Sequence, residues 1–220
     1  MKNKKTIIEL IITIIGTFLL QFGLICFNKY ALMSFPLTAR RVLIIVMYWI
    51  VALIPVLFCI KNNEKLDELG FSKEKILKQI LIGIAVGCIM SIFITLIPIL
   101  IFGKENTYSS SNYKYIWQYI YQFVYLTASV ALTEEFIFRG YLLNKFKKIS
   151  ENTIIPILTT SLLFGLFHIF NGNIIQVMVT TFIGLILVIC KEKIKNCSLL
   201  SLIIAHGIYD WFIVLITAIL

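Results

Sequence analysis

Ionisable residues interrupt three long apolar stretches, and this feature most limits how the chain can fold. They are Glu134, Glu135 and Arg139 in the first stretch, His168 in the second, and His206 and Asp210 in the third. A charged side chain at the centre of a bilayer costs roughly 2.5 to 3.5 kcal/mol on insertion scales. We therefore expect these groups to face one another inside a helix bundle rather than to face lipid.

The composition favours a membrane protein, because 60% of the 220 residues are hydrophobic and only 14% are charged. A transmembrane helix needs about 20 predominantly apolar residues in succession. The lengths of the apolar runs predict spans at residues 7–27, 42–60, 76–102, 115–143, 154–170, 174–190 and 199–220. We predict an all-α, polytopic membrane helix bundle of about seven transmembrane helices, with the polar site in the C-terminal four.

The connections between the predicted spans are short, which leaves no room for a soluble domain. We therefore predict a single integral membrane domain over residues 1–220. Within it, residues 1–112 form the N-terminal spans and residues 113–220 form a motif-bearing core.

The basic residues are unequally distributed over the loops, and this predicts the orientation. When the loops are assigned alternately to two faces, most lysines fall on the face that includes the amino terminus. Basic loops stay in the cytoplasm, so we predict a cytoplasmic amino terminus and a carboxyl terminus outside. The net charge of +9 then reflects topology, and we expect no nucleic-acid partner because no compact basic domain is present.

The spacing of the polar residues predicts how they pair. Glu135 and Arg139 are i and i+4 with the acid first, the favourable order for an ion pair along one helix. Glu134 is rotated by about 100° from Glu135, so it can point at a different group. His206 and Asp210 are also i and i+4. Counted at about 1.5 Å per residue, Glu134, His168, His206 and Asp210 lie roughly 15 to 21 Å from the predicted cytoplasmic edge.

Three short motifs resemble those of a known protease family. They are EEFIFR at residues 134–139, FGLFH at residues 164–168 and HGIYD at residues 206–210. In order and approximate spacing they are similar to the motifs of the CPBP or Abi family, the intramembrane endopeptidases that process CAAX prenyl proteins and bacteriocins. The resemblance extends from about residue 115 to the end of the chain. It implies an enzyme that cleaves peptide bonds within a membrane cavity.

The resemblance also implies roles for single residues. Glu134 and His168 are the pair that activates water, and His206 with Asp210 forms the side that stabilises the oxyanion. Glu135, Arg139 and Phe164 are expected to support the site. Many family members have Asn where this chain has Asp210, and an ionised Asp cannot donate a hydrogen bond to an oxyanion. We therefore expect Asp210 to orient or charge His206 unless its carboxyl group is protonated.

Several alternatives remain open at this point. Glutamate, histidine and aspartate side chains are acceptable zinc ligands, so a zinc-dependent protease is the mechanistic alternative to the metal-free enzyme that we favour. A proton-coupled carrier uses the same residue types. Another alternative is a non-catalytic bacteriocin immunity or binding protein with the same fold. In a purely structural alternative, the polar residues only form hydrogen bonds between helices. The expected partners are membrane lipid and a peptide or prenylated protein substrate.

Overall fold

The structure is a computed structural model that describes residues 2–103, 113–170 and 172–219. The boundary predicted between residues 112 and 113 lies at the edge of a segment outside the described residues. The α-helices in the described part are α1 (Lys2–Tyr30), α2 (Leu37–Ile50), α3 (Leu53–Lys61), α4 (Ile76–Met90), α5 (Ile97–Phe102), α6 (Ile116–Tyr125), α7 (Leu132–Glu135), α8 (Leu143–Ile149), α9 (Ile154–Phe167), α10 (Ile174–Lys193) and α11 (Leu199–Ile219).

All the segments predicted as spans are helical, but fewer than seven are long and apolar enough to cross a membrane. Within residues 2–103, 113–170 and 172–219, four helical stretches meet that requirement, namely Lys4–Ser34, Ile76–Phe102, Ile174–Lys193 and Leu199–Ala218. Helices α2 and α3 are bent by 48° at a short break and make a fifth if they are counted as one span. The prediction of a polytopic, all-helical membrane bundle is confirmed.

The two remaining predicted spans differ from the others for separate reasons. Helix α9 has only 14 residues because it ends at Phe167 and His168 caps it, whereas the apolar run extends to residue 170. The span predicted at residues 115–143 is one continuous helix through α6, α7 and α8. It carries the charged site residues together with tyrosines and glutamines, and these lower its apolar character.

The helix that runs through α6, α7 and α8 is not regular. Two π-helical segments, Leu126–Ala131 and Phe136–Leu142, lie immediately before and after α7. Helix α7 is a single turn that carries Glu134 and Glu135. Both glutamates are buried, with 2% and 0% of their surface exposed. π-Helical turns inside α-helices occur frequently at functional sites, and here they lie on both sides of the acidic pair.

Helix α11 lies at the centre of the bundle, where it packs against α4 and against the π-helical segment before α7. Helices α9 and α10 pack against each other. Small residues allow the closest of these approaches, as is usual between membrane helices. At Gly87 of α4, a Cβ atom would lie 2.8 Å from the backbone oxygen of Ala205 and 2.9 Å from the Cβ atom of Ile208.

This close approach predicts that the Gly87→Ala substitution destabilises the protein. The added methyl group must displace the backbone of α11, and overpacking of this kind typically costs about 1 to 3 kcal/mol. Gly23→Ala is the matched control, because a Cβ atom there meets nothing within 4 Å and alanine is the better helix former. Thermal unfolding in detergent should show a lower midpoint for Gly87→Ala only. Equal midpoints for both variants would contradict the packing of α4 on α11.

A buried charge cluster joins three elements at one end of the bundle. Lys145 Nζ of α8 lies 3.1 Å from Glu9 Oε2 of α1 and 2.6 Å from Glu64 Oε1 of the connection after α3. The side-chain nitrogen of Asn62 lies 3.1 Å from both carboxylate oxygens of Glu9. The cluster therefore fixes the end of the helix on which Glu134 and Glu135 lie.

Candidate active site

The structure brings together all seven residues that the sequence suggested for the site. Helix α7 carries Glu134 and Glu135, and the π-helical segment after it carries Arg139. The other residues come from the end of α9 and from the middle of α11, and they are Phe164, His168, His206 and Asp210. The convergence of three separate helices on one buried point satisfies charges that could not face lipid.

Arg139, Glu135 and His206 form a buried chain of contacts. Arg139 Nη1 donates a hydrogen bond to Glu135 Oε1 at 2.8 Å, and both side chains are at most 1% exposed. The same carboxylate oxygen lies 2.8 Å from His206 Nδ1. An ionised carboxylate only accepts hydrogen bonds, so His206 Nδ1 carries a proton and donates it. Glu135 thereby links the first motif to the third.

Glu134 has its two carboxylate oxygens in different surroundings. Oε1 accepts a hydrogen bond from the Tyr48 hydroxyl of α2. Oε2 is buried and has no hydrogen-bond partner among the described residues. It lies 3.8 Å from His168 Nε2 and 3.8 Å from His206 Nε2. These separations exceed hydrogen-bond length, so a small molecule such as water is needed to connect the three atoms.

His168 is oriented by the helix that it ends. Its Nδ1 atom lies 2.9 Å from the backbone oxygen of Phe164. A carbonyl oxygen can only accept a hydrogen bond, so this contact assigns the proton to Nδ1. In the neutral ring Nε2 then has a free lone pair, and it is this atom that faces Glu134. The ring can therefore accept a proton or a hydrogen bond on the side of the acid.

Asp210 lies next to His206, one turn further along α11. Its Oδ2 atom is 3.3 Å from His206 Nε2. Both ring nitrogens of His206 thus face carboxylate oxygens, and a protonated ring can donate from each of them. The Asp210 side chain is 24% exposed, whereas the His206 side chain is 5% exposed. Asp210 therefore lies on the open side of the site.

Phe164 contacts three of the ionisable site residues. The Arg139 guanidinium lies over its ring at 4.1 Å from the centroid, a cation–π arrangement. The rings of His168 and His206 contact the same phenyl ring edge to face, at centroid distances of 5.0 and 5.8 Å. One aromatic side chain thus fixes the positions of three site residues.

Tyr48 is a site residue that lies outside the three sequence motifs. It lies in α2, far from the three motifs, and only its contact with Glu134 shows its involvement. The one available signal is a hydroxyl group within an otherwise apolar run, but tyrosines also occur at membrane interfaces. That signal does not separate Tyr48 from the other nine tyrosines of the chain.

A cavity of about 540 Å³ opens onto the site. Its volume is within the usual range for ligand pockets. Glu134, His168, His206 and Asp210 form one part of its wall. Residues of α5 and α10 form other parts of the wall and are mainly apolar, with Pro98, Ile99, Phe102, Ile175, Val179 and Ile183 among them. An apolar molecule bound in the cavity would therefore lie next to these polar side chains.

The arrangement of these side chains also bears on metal binding. Among residues 2–103, 113–170 and 172–219, no group of three or more His, Cys, Asp and Glu side chains has an arrangement that could hold a metal ion. The side chains as placed therefore do not fit a zinc ion. The zinc alternative remains a prediction.

The fold and the site together define an integral, multi-pass membrane protein. Its buried centre contains acidic side chains and two histidines, and it opens onto a mainly apolar cavity. Residues 116–212 match the family described as type II CAAX prenyl endopeptidase Rce1-like. This segment, less than half of the chain, is similar to the CAAX-type membrane proteases, as the three motifs indicated. The match includes all seven predicted site residues and leaves α1 to α5 outside. No curated protein and no solved structure matches the chain.

Proposed function

We propose that the protein hydrolyses a peptide bond of a membrane-associated or lipidated protein, with water activated by Glu134 and His168. The observation that carries this proposal is the position of Glu134 Oε2. It is buried without a hydrogen-bond partner among the described residues and is equally distant from two histidine nitrogens. A water molecule placed between these atoms would lie in a site that opens onto the apolar cavity.

The proton transfers follow from this arrangement. Glu134 Oε2 accepts a proton from the water while His168 Nε2 accepts a hydrogen bond from its other hydrogen. The water oxygen then forms a bond with the carbonyl carbon of the substrate. When the carbon–nitrogen bond breaks, Glu134 returns the proton to the leaving amine. No serine or cysteine nucleophile takes part, and the carboxylate ends the cycle in its starting state.

His206 is proposed to stabilise the oxyanion. Protonated on both ring nitrogens, it places a positive charge 3.8 Å from the oxygen of Glu134 that activates water. Asp210 and Glu135 lie on either side of the ring and stabilise that charge. Donors and charges already in place before the reaction stabilise a developing oxyanion without reorganisation. Asp210 thus acts through His206 rather than on the oxyanion itself.

The cavity suggests the class of substrate. Its apolar walls on α5 and α10 suit an apolar side chain or a lipid chain attached close to the scissile bond. A lipidated peptide would bury that chain against these walls and bring its peptide bond to Glu134. An unmodified apolar peptide would use the same walls through its side chains.

Cleavage by purified protein in liposomes tests the proposal. Two peptides are compared, one with an isoprenylated cysteine near its carboxyl end and one unmodified apolar membrane peptide. Mass spectrometry in ¹⁸O-labelled water should show a product that carries one labelled oxygen in its new carboxyl group, because the oxygen comes from water. Absence of cleavage of both peptides would contradict the proposal. That result is also the one expected of a carrier or an immunity protein.

A second prediction concerns zinc and residue 210. Chelated protein should keep its activity and contain well under one zinc per chain, since a catalytic site with three good ligands retains its ion through purification. Asp210→Asn should keep most of the activity, because the amide oxygen can still accept from His206 while the amide nitrogen can donate to the oxyanion.

The zinc-dependent alternative predicts the opposite pattern in both measurements. Asp210→Asn would replace a charged ligand by a weaker neutral one and lower the zinc content and the rate together. Stoichiometric zinc, with inhibition by chelators that added zinc reverses, would overturn the metal-free mechanism. The assignment as a protease would remain.

A further inference from the structure

We propose that Tyr48 is a positioning residue for the catalytic carboxylate of Glu134, which it holds so that Oε2 alone faces the reacting water. The inference rests on the function proposed above and adds to it a residue from the part of the chain outside the family match. Tyr48 lies in α2, whereas the match covers residues 116–212.

The hydrogen bond between the two side chains defines the role. A tyrosine hydroxyl has one hydrogen, and here it is donated to Glu134 Oε1. Tyr48 is only 8% exposed, so the hydroxyl has little access to water as another partner. With Oε1 occupied in this way, Oε2 is the oxygen left free, and it is the one that faces His168 and His206.

Other contacts fix α2 against the helix that carries Glu134. The Ser129 hydroxyl donates to the backbone oxygen of Ile45 at 2.9 Å, and the indole nitrogen of Trp49 donates to the backbone oxygen of Ala128 at 2.9 Å. The ring of Tyr125 contacts the Tyr48 ring edge to face at 6.4 Å. Two of these contacts involve the π-helical segment directly before α7. The Tyr48 hydroxyl is therefore held in a defined position relative to the carboxylate.

A carboxylate without this hydrogen bond could rotate about its terminal torsion, which is broad and nearly two-fold for glutamate. A half-turn only exchanges two equivalent oxygens, but at intermediate angles neither oxygen faces the water, so the productive geometry would be occupied for less of the time. Misplacement of a catalytic group lowers the rate of the chemical step more than substrate affinity. A positioning role for Tyr48 therefore predicts an effect on kcat with little effect on KM.

The Tyr48→Phe variant tests the inference, because it removes the hydroxyl and keeps the ring. We expect kcat to fall about 10- to 100-fold with KM near the wild-type value, as for the loss of one hydrogen bond to a charged group. The assay uses whichever of the two peptides the wild-type protein cleaves. Tyr125→Phe is the matched control, since its ring contacts Tyr48 but its hydroxyl does not bond to Glu134. It should keep wild-type kcat.

One further variant separates positioning from structural support. Asn144→Ala removes a hydrogen bond to the backbone oxygen of Glu68, which has no part in holding Tyr48, so it should lower stability slightly and leave kcat unchanged. If Tyr48→Phe lowers stability but Asn144→Ala with a similar loss keeps its kcat, the rate effect of Tyr48→Phe comes from the hydroxyl.

The double variant Tyr48→Phe with Glu134→Gln identifies the group through which Tyr48 acts. If Tyr48 acts only through Glu134, the double variant should be no slower than Glu134→Gln alone. Wild-type kcat in Tyr48→Phe, or an equal loss of kcat in Tyr125→Phe, would overturn the inference about Tyr48. In that case an inactive Glu134→Gln variant would still support the proposed function. Activity in Glu134→Gln, or no cleavage by the wild-type protein, would instead overturn the proposed function and with it this inference.

Discussion

The Glu134→Gln substitution is expected to abolish peptide cleavage while the protein remains folded. Glutamine keeps the size of the side chain and can still accept the hydrogen bond from Tyr48, but its amide cannot take a proton from water. General-base catalysis contributes typically 10² to 10⁴ in rate, so the residual activity should be roughly a hundredth of the wild-type value or less. Steady-state cleavage in liposomes measures the loss, and thermal unfolding in detergent should show a nearly unchanged midpoint.

Glu192→Gln is the matched control for the loss of one carboxylate. Glu192 pairs with Lys147 at 2.6 Å, but their side chains are 27% and 38% exposed, and neither lines the cavity. This variant should cleave at the wild-type rate. Full activity in the Glu134 variant would remove the proposed base and leave the unpartnered oxygen of Glu134 without a role in catalysis. A loss of similar size in both variants would point to a general effect of charge.

The polar centre of the protein could be predicted because two strong constraints act on the sequence. Charged residues in an apolar bundle must face one another, and helical spacing determines which of them share a face. These rules are sufficient to predict that Glu135 pairs with Arg139 and that Glu134 points elsewhere. The contact between His206 and Glu135 could not be predicted in this way, because it depends on how α11 packs against α7.

The contribution of α2 to the site could not be predicted from the sequence for a related reason. The hydrophobic pattern identifies α2 as a membrane helix, but it does not say which tyrosine faces an acid on another helix. The π-helical segments on either side of α7 also have no clear sequence signal, since they change the hydrogen bonding of an otherwise apolar helix. Both features depend on packing between distant parts of the chain.

The lengths of the apolar runs predict more membrane spans than the described helices provide. An apolar run gives the maximum length of a helix, but hydrogen bonding gives its actual end. The run at residues 154–170 is longer than its helix, which ends at Phe167 with His168 at the C-cap. At residues 116–149 the helix is long enough, but its polar residues make it less apolar than an ordinary span. In the first case the helix is shorter than its apolar run, and in the second the helix is long but contains too many polar residues.

The Arg139→Ala substitution is expected to cost stability as well as activity. Arg139 and Glu135 are at most 1% exposed, and removal of one member of a buried pair typically costs about 3 to 5 kcal/mol, because the other charge is left without compensation. The same change removes the cation that lies over Phe164 and weakens the support of His206 through Glu135. Denaturant or thermal unfolding should therefore show a large loss together with reduced cleavage.

Lys147→Ala is the matched control for this prediction, since Lys147 belongs to an ion pair of the same kind that is partly exposed. Surface pairs contribute about 0 to 1 kcal/mol, so the stability of this variant should differ little from that of the wild type. The difference between the two variants then measures the effect of burial rather than of charge alone. If Arg139→Ala kept wild-type stability and lost its activity, Arg139 would act at the reaction centre, and the view of the Glu135–Arg139 pair as a support for His206 would be wrong.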